Sequence, residues 1–390
     1  MPQTPRLADV IATLDALYDP GWALSWDAVG LVCGDPAAPV RKVLFAVDPV
    51  DVVVDEALAW GADLVVTHHP LFLRAVHGVA ATTPKGRVVH RLITAGVALH
   101  VAHTNADVAE HGVSEALAAR LGLTGTRPLV ASPAEPLDKI VTFVPDEAAD
   151  RVVDALAAAG AGAIGAYTRC AWTTTGTGTF TPQAGAQPAI GVVGQVELVP
   201  ETRVEMVMAR HRRQAVVAAL RAAHPYEQPA FDVLELAGWP GPRGIGRVGE
   251  LATPTRFADL LDHVAARLPL GPAGLRAAGD PDLLVRRVAV CGGAGDDLFD
   301  DVRRSGADVY VTADLRHHPA AEALDRGGPA LVDAGHWSTE WPWLAEAATR
   351  MAAGLAERGA TVETRVSTTC TDPWTRHVPP ALAPDPGSSS

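Results

Sequence analysis

The sequence predicts an α/β protein in which two related α/β lobes are interrupted by an inserted ferredoxin-like α+β domain. Two observations carry this prediction: a repeat that relates the beginning of the chain to its end, and a different repeat between the two copies. A chain of 390 residues also exceeds the usual size of one compact domain. We therefore place the first lobe at residues 1–125, the insert at 126–245, the second lobe at 246–375 and a disordered tail at 376–390.

The outer repeat aligns residues 41–67 with residues 286–312 without a gap, and nine of the 27 positions are identical. Each copy begins with a short apolar run, which is typical of a buried parallel strand. A segment of helical length follows and ends at a Gly, and a second apolar run closes the copy. Each copy is thus predicted to be a β-α-β unit.

The inner repeat aligns residues 139–167 with residues 203–231, and each copy again has a β-α-β pattern. A Thr- and Gly-rich stretch at 172–194 predicts a hairpin-like connection between the copies. Two β-α-β halves of this kind favour a ferredoxin-like domain. Turn-rich segments at 124–136 and 237–246 mark its boundaries.

Composition restricts the function classes. The net charge of −13 disfavours a general nucleic-acid binder, which needs a basic surface for phosphates. The N-terminal segment predicts an amphipathic helix rather than a signal peptide, and no stretch of about 20 apolar residues predicts a membrane span. None of the four cysteines belongs to a C-x-x-C pair, so we expect a cytoplasmic protein without membrane contact.

Potential metal ligands follow three predicted strands at their C-terminal ends, the edge at which parallel α/β sheets bind ligands. They form a His–His pair, an H-x-x-x-D motif and an H-x-x-x-E motif, and the last two occupy equivalent places in the two lobes. Imidazole and carboxylate ligands together suit Zn²⁺, Fe²⁺, Mn²⁺, Co²⁺ or Ni²⁺. Six candidates exceed what one tetrahedral ion needs, and they match two ions that share a bridging carboxylate. The candidates are His68, His69, His103, Asp107, His336 and Glu340.

Other polar residues near these motifs have less specific predictions. His317 and His318 are candidates for contact with substrate or with the ligand side chains, and His100 is predicted to be structural. Asp48 is predicted either to orient a ligand His or to cap the following helix. The glycine-rich segment 291–295 lacks the spacing of a dinucleotide-binding loop and predicts a tight turn, so no organic cofactor is expected. In the insert, residues 224–227 predict a structural turn.

With these motifs the sequence resembles the Nif-three-like family of dinuclear-metal proteins, whose members are often named GTP cyclohydrolase 1 type 2 homologues. The resemblance covers nearly the whole chain and rests on four segments, Trp26–Leu31, Thr67–Phe72, His103–Asp107 and Asp333–Glu340. The insert resembles the PII and CutA type of ferredoxin-like domain through residues 160–170, 176–180 and 224–232. Ala28 departs from the family pattern, which usually has Asn there, and this weakens the expectation of a polar role at that position.

The resemblance implies a site for two divalent metal ions, with His68, His69, Asp107, His336 and Glu340 as ligands and His103 as a further one. It also implies a toroidal homohexamer whose sites face an internal cavity. The named activity of the family converts GTP to dihydroneopterin triphosphate and formate, so a small-molecule substrate, with nucleotides among the candidates, is expected.

Two alternatives remain open. The first is a non-catalytic hexamer that binds or delivers metal or acts as a regulator. The second is a metal-dependent hydrolase of another substrate, such as a phosphoester. The residues do not select a general acid–base among His317, His318 and Asp48, so no catalytic residue is assigned.

Overall fold

The computed structural model describes residues 3–379, so residues 380–390 of the predicted tail lie outside the described chain. The chain has mixed α/β structure and divides into two compact units. One unit comprises the residues up to Ser132 and those from Pro242 onward, and the other is Pro133–Gly241. None of the helices within residues 3–379 combines the length and the apolar character that crossing a bilayer requires.

Helices and strands alternate along most of the chain. The helices are α1 (Leu7–Leu17), α2 (Asp51–Trp60), α3 (Pro84–Ala95), α4 (Thr104–Val108), α5 (Val113–Arg120), α6 (Ala149–Ala158), α7 (Arg213–Ala223), α8 (Phe257–Arg267), α9 (Phe299–Ser305), α10 (His317–Asp325) and α11 (His336–Glu357). The strands are β1 (Gly30–Cys33), β2 (Lys42–Ala46), β3 (Leu64–Thr67), β4 (Ala98–Val101), β5 (Thr124–Pro133), β6 (Leu137–Pro145), β7 (Trp172–Phe180), β8 (Glu197–Ala209), β9 (Phe231–Glu235), β10 (Pro240–Arg256), β11 (Arg276–Ala278), β12 (Leu284–Ala294), β13 (Val309–Ala313), β14 (Ala330–Asp333) and β15 (Glu363–Val366).

The first sheet has five strands in the order β1-β4-β3-β2-β15, and all its neighbours except β1 and β4 are parallel. On β2, Val43 and Phe45 belong to the core cluster that contains α1 and α11, whereas Leu44 belongs to the cluster that contains α2 and α3. Successive side chains of a strand point to opposite faces, so this sheet is covered by helices on both sides. Such coverage explains why its strands are unbroken apolar runs.

The second sheet has six strands in the order β11-β14-β13-β12-β10-β5. Its central strands β12, β13 and β14 are parallel, and β10 and β11 pair with them antiparallel. The outer repeat forms a β-α-β unit in each sheet, β2-α2-β3 in the first and β12-α9-β13 in the second. The two β-α-β units predicted from that repeat are therefore confirmed.

Helix α11 joins the core of the first sheet to the site described below. Its first turn follows β14 of the second sheet, and its later residues, including Trp343, Leu344 and Met351, are fully buried with α1 in the core of the first sheet. The helix contains Pro342 near its beginning. The position of its first turn is consequently fixed by packing further along the helix.

The unit Pro133–Gly241 has a four-stranded antiparallel sheet in the order β7-β8-β6-β9, with α6 and α7 packed on one face. The inner repeat predicts that the second strand of its first copy ends near residue 167, but the structure forms that strand as β7, which begins at Trp172. Gly160, Gly162 and Gly165 have positive φ angles of 102°, 73° and 56°, and such turns interrupt an extended strand. β7 pairs with β8, and the irregular segment 181–196 connects them.

Candidate metal centre

The site residues follow strand ends in both sheets. His68 and His69 come directly after β3, and His103 precedes the first residue of α4, which follows β4. His336 is the first residue of α11 after β14. Residues four apart on a helix share one face, so Asp107 stands beside His103 and Glu340 stands beside His336.

The carboxylate of Glu340 lies at the centre of the cluster and is 3% exposed. Its Oε1 lies 3.0 Å from His336 Nε2 and 3.4 Å from His68 Nε2, and its Oε2 lies 3.1 Å from His69 Nε2. Each oxygen therefore faces imidazole nitrogens. A carboxylate in this position can be shared between two cations.

Asp107 and His103, the remaining two candidates, lie beside His68. The Nε2 atom of His68 lies 3.6 Å from Asp107 Oδ1, and the ring centroids of His68 and His103 are 5.1 Å apart. Within the described chain, two groups have ligand atoms that all lie within 4.8 Å of one another: His68 with His69 and His103, and His69 with His336 and Glu340. The structure thus brings all six sequence-predicted side chains together.

Each imidazole is oriented by a hydrogen bond at Nδ1, which leaves Nε2 to face the cluster. Partners of this kind fix the ring orientation and the tautomer of metal-binding histidines. The Nδ1 partners are Ala102 O at 2.9 Å for His68, Asp48 Oδ1 at 2.7 Å for His69, Asp27 Oδ1 at 2.9 Å for His103 and Asp314 Oδ2 at 2.7 Å for His336.

Two observations test whether these residues fit a metal. His68 Nε2 and Glu340 Oε2 are buried and have no hydrogen-bond partner among residues 3–379. The Nε2 atoms of His69 and His336 lie 3.2 Å apart, and the Nδ1 atoms of both rings face carboxylate oxygens. The two Nε2 atoms therefore need a proton or a metal ion between or beside them. The donor set of imidazoles and carboxylates therefore fits divalent transition metals.

Electrostatics agree with this interpretation. Burial opposes a charged imidazole at His69 and His336, but the Glu340 carboxylate outweighs it and raises their pKa values to about 11 and about 10. Burial also disfavours charge on Glu340, yet the surrounding histidines hold its pKa well below the usual range. At Asp107 burial and the Glu340 charge prevail, and its pKa is raised. Without metal the cluster holds protons that a metal would displace.

Three residues that approach the cluster were not predicted. Asp27 and Asp314 orient His103 and His336. Gly293 has a φ of +69°, and a Cβ at this position would lie 2.5 Å from Glu340 Oε1. The predicted tight turn at 291–295 is instead an irregular end of β12, where the pairing with β13 shifts register between Val290 and Ala294. The glycine-rich segment 291–295 was the sequence feature that could have indicated a close contact at Gly293.

The other polar residues singled out from the sequence lie in different surroundings. Asp48 orients His69, as one of its two predicted roles requires, and it also accepts a hydrogen bond from Thr371. His317 and His318 are exposed at the start of α10 and belong to neither group of clustered ligand atoms. His100 lies buried on β4, and burial lowers its pKa to about 4, so it is neutral at pH 7.

One side of the cluster faces open space. His69 and His336 line a cavity of about 540 Å³ together with their partners Asp48 and Asp314. The same cavity is also lined by Arg276, Trp374 and His377, among others. Cavities of this size accept small organic ligands.

The fold and the site define a class: an α/β protein with a buried His and carboxylate cluster that can bind metal. A family model for Duf34/NIF3 (NGG1p interacting factor 3) matches residues 5–373. The chain belongs to this family, as the sequence motifs predicted. The structure of a Bacillus cereus protein related to NIF3 is similar, with a TM-score of 0.76 and 35% identity, and the match covers 95% of this chain and 99% of that one.

Two proteins of known sequence are also similar to this chain over nearly its whole length. The "GTP cyclohydrolase 1 type 2 homolog" of Mycobacterium tuberculosis is 52% identical over 370 residues, which cover 95% of this chain and 96% of that protein. The protein of the same name from Bacillus subtilis is 36% identical over 367 residues, which cover 94% and 97%.

Proposed function

We propose that the cluster binds two divalent transition-metal ions and that Glu340 is shared between them. The six ligands are His68, His69, His103, Asp107, His336 and Glu340. The observation that carries this proposal is the convergence of both oxygens of Glu340 with the Nε2 atoms of His68, His69 and His336. Two of these atoms, His68 Nε2 and Glu340 Oε2, have no hydrogen-bond partner among residues 3–379. The ion is Zn²⁺, Fe²⁺, Mn²⁺, Co²⁺ or Ni²⁺, since all five accept mixed nitrogen and oxygen ligands.

Metal analysis tests this assignment. Purified wild-type protein, His69→Ala and Glu340→Ala are loaded with Zn²⁺ or Mn²⁺, dialysed and analysed by mass spectrometry of the elements. We expect two ions per chain in the wild type and a loss of one or both in each variant. His318→Ala is the matched control, because His318 is exposed and lies outside the clustered groups. Equal metal content in all four proteins would defeat the assignment.

We further propose that the protein is a metal-dependent hydrolase of a small molecule. The cavity of about 540 Å³ beside His69 and His336 supports this, because a substrate there would contact the cluster directly. Bound ions of this type supply a hydroxide at neutral pH and stabilise developing negative charge. The relatives named GTP cyclohydrolase 1 type 2 homolog make GTP the first substrate to test.

The residues of the cavity have separable tasks in this proposal. Asp48 and Asp314 hold the imidazoles of His69 and His336 in position through their Nδ1 atoms. Trp374 offers an indole for stacking against a base. His377 also lines the cavity and is our candidate for proton transfer to or from substrate.

Product analysis separates the three functional alternatives. Metal-loaded protein is incubated with GTP, and formate and inorganic phosphate are measured against an Asp107→Ala control. Formate release above the control supports a cyclohydrolase. Phosphate release without formate supports a phosphoesterase-type hydrolase. If neither product exceeds the control while metal is bound, a non-catalytic metal-binding, metal-delivery or regulatory protein becomes the better hypothesis.

We also propose a cytoplasmic homohexamer. Support for the assembly comes from the exposed apolar side chains Trp26, Leu73, Val76 and Val79 in the metal-binding unit, since such groups often pack at subunit contacts. The four cysteines are all free, which suits a reducing compartment. Light scattering of the metal-loaded protein measures the subunit number, and a monomer would refute the hexamer.

The unit Pro133–Gly241 is proposed to be a ferredoxin-like domain of the PII and CutA type, inserted between the two lobes. Its elements follow the order β6-α6-β7-β8-α7-β9, and the antiparallel sheet order β7-β8-β6-β9 supports this class. Backbone NMR of the whole protein can test the pairing of β6 with both β8 and β9, which the class requires.

A further inference from the structure

The sheet of the unit Pro133–Gly241 has two chemically different faces. Even-numbered residues such as Ile140 and Met206 pack against α6 and α7. Odd-numbered residues, among them Phe143, Glu201 and Arg203, point to the opposite face because side chains alternate along a strand. Residues 181–190 and 226–230 border a half-open cavity of about 630 Å³ on that face.

Glu201 is a buried carboxylate in the wall of this cavity, with 9% of its surface exposed. Its Oε1 accepts a hydrogen bond of 2.9 Å from the Tyr226 hydroxyl. Its Oε2 lies over Gly178, where a Cβ would come within 2.0 Å of it. Within residues 3–379, Oε2 accepts no hydrogen bond and Glu201 forms no ion pair. Glu201 borders the cavity, so a ligand there can donate a hydrogen bond to this oxygen.

Arg203 supplies a second unsatisfied group in the same wall. Its guanidinium lies over the Phe143 ring, 5.8 Å from the centroid, and one nitrogen bonds Glu205 Oε1 at 2.9 Å. Its Nε is buried and has no partner among the described residues. Glu201 and Arg203 are two residues apart on β8, so their Cα atoms are about 6.7 Å apart. The wall therefore offers a carboxylate acceptor and a guanidinium donor at neighbouring positions on one face of β8.

The other walls are aromatic and apolar. The rings of Phe180 and Tyr226 meet edge to face with centroids 5.6 Å apart, and Pro182 and Ile190 line the cavity as well. His224 holds this arrangement: its Nδ1 accepts from the Tyr226 backbone N–H at 3.1 Å, and its Nε2 donates to the backbone carbonyl of Phe143 at 3.0 Å. The segment 224–227, predicted as a structural turn, thus also positions a side chain of the cavity.

We infer that this cavity is a binding site for a flat heterocycle that carries adjacent N–H donors and a carbonyl group. The N–H donors face Glu201, the carbonyl faces Arg203, and the ring lies against the aromatic walls. Guanine and pterin rings both present such an edge, an amino group next to a ring N–H and a carbonyl. Adenine has no ring N–H beside its amino group and lacks the carbonyl, so it satisfies neither Glu201 nor Arg203 in the same way. The site is separate from the metal cluster and does not depend on its function.

Calorimetric titration of the metal-loaded full chain tests the inference. The probes are guanosine and pterin, which distinguish a nucleoside from a pterin source, and adenosine is the comparison ligand. We expect guanosine or pterin to bind at least tenfold more tightly than adenosine. Glu201→Gln should weaken that binding at least tenfold, because it replaces one acceptor oxygen with an amide donor. Binding of neither probe to the wild type, or equal binding of adenosine, overturns the inference.

A matched variant separates a specific effect from a general one. Asp232 lies on β9 of the same sheet, is exposed and does not line the cavity, so Asp232→Asn should change the affinity less than twofold. Thermal unfolding shows whether Glu201→Gln remains folded. Gly178→Ala offers a second test, since its Cβ must displace the Glu201 carboxylate and should weaken binding in a folded protein. Unaltered affinity in Glu201→Gln assigns the binding elsewhere, including the metal cavity, and refutes this site.

Discussion

Gly293 gives the most direct test of the metal-centre geometry. In Gly293→Ala the new Cβ would lie 2.5 Å from Glu340 Oε1 and 3.1 Å from His336 Nε2, whereas real Cβ contacts essentially never fall below 3.0 Å. The Glu340 carboxylate must therefore move by about 0.5 Å or more. Metal–ligand distances in a well-formed site vary by only about 0.2 Å. We expect the affinity for Zn²⁺ to fall at least about tenfold.

The same substitution also strains the backbone, so a control must separate the two effects. Gly96 has a φ of +71°, close to the +69° of Gly293, but a Cβ there meets no atom within 4 Å. Both variants should lose about 1–2 kcal/mol of stability from the left-handed conformation. Only Gly293→Ala should lose metal affinity.

The assay measures both quantities on the same preparations. Wild type, Gly293→Ala and Gly96→Ala are stripped with a chelator, and Zn²⁺ affinity is determined by competition with a chromophoric chelator. Thermal unfolding of the metal-free proteins gives the stability change. If Gly293→Ala binds Zn²⁺ as tightly as Gly96→Ala, then Glu340 does not hold metal in the geometry described.

Three further predictions follow from the same structure. Asp314→Asn removes the charge that orients His336 and should weaken Zn²⁺ binding about 10–100-fold in the competition assay. Chelation of the metal should lower the Tm of the wild type by more than that of Glu340→Ala, which retains at most one ion. Burial lowers the pKa of His100 from about 6.5 in the unfolded chain to about 4 in the folded protein. The free energy of unfolding should therefore fall by about 3 kcal/mol as the pH drops from 6.5 towards 4, because only the unfolded state takes up a proton in this range. Denaturant unfolding of His100→Leu should show a correspondingly flatter pH dependence.

The parallel strands and the residues that follow them could be predicted from local sequence. LVVT and VYVT are unbroken apolar runs because helices cover both faces of their sheets, and periodicity reports that directly. His68 and His69 follow one such run, so their place at a sheet edge needed no tertiary information. The i, i+4 spacing of His336 and Glu340 similarly predicted that the two side chains lie on the same face of one helix.

The partners of those histidines could not be predicted in the same way. Asp27 and His103 are 76 residues apart, and their contact depends on how β1 and β4 pair. Asp314 adopts a positive φ of 56°, a conformation that the sequence does not signal for a non-glycine residue. The cavity beside Glu201 depends on the fold of 181–190, a segment without periodicity. Local sequence patterns do not report which distant strands pair or how irregular segments fold.

The division of the chain has a consequence for its biosynthesis. Strand β5 precedes the unit Pro133–Gly241, whereas its neighbour β10 follows most of that unit. A ribosome that adds about 5–20 residues per second needs about 5–20 s to produce the segment between them. During this interval the nascent chain presents β5 as an unpaired strand edge, which is a template for intermolecular pairing. The intervening unit is continuous in sequence and can fold while β5 still lacks the other strands of its sheet, so chaperone demand should concentrate on that unpaired strand.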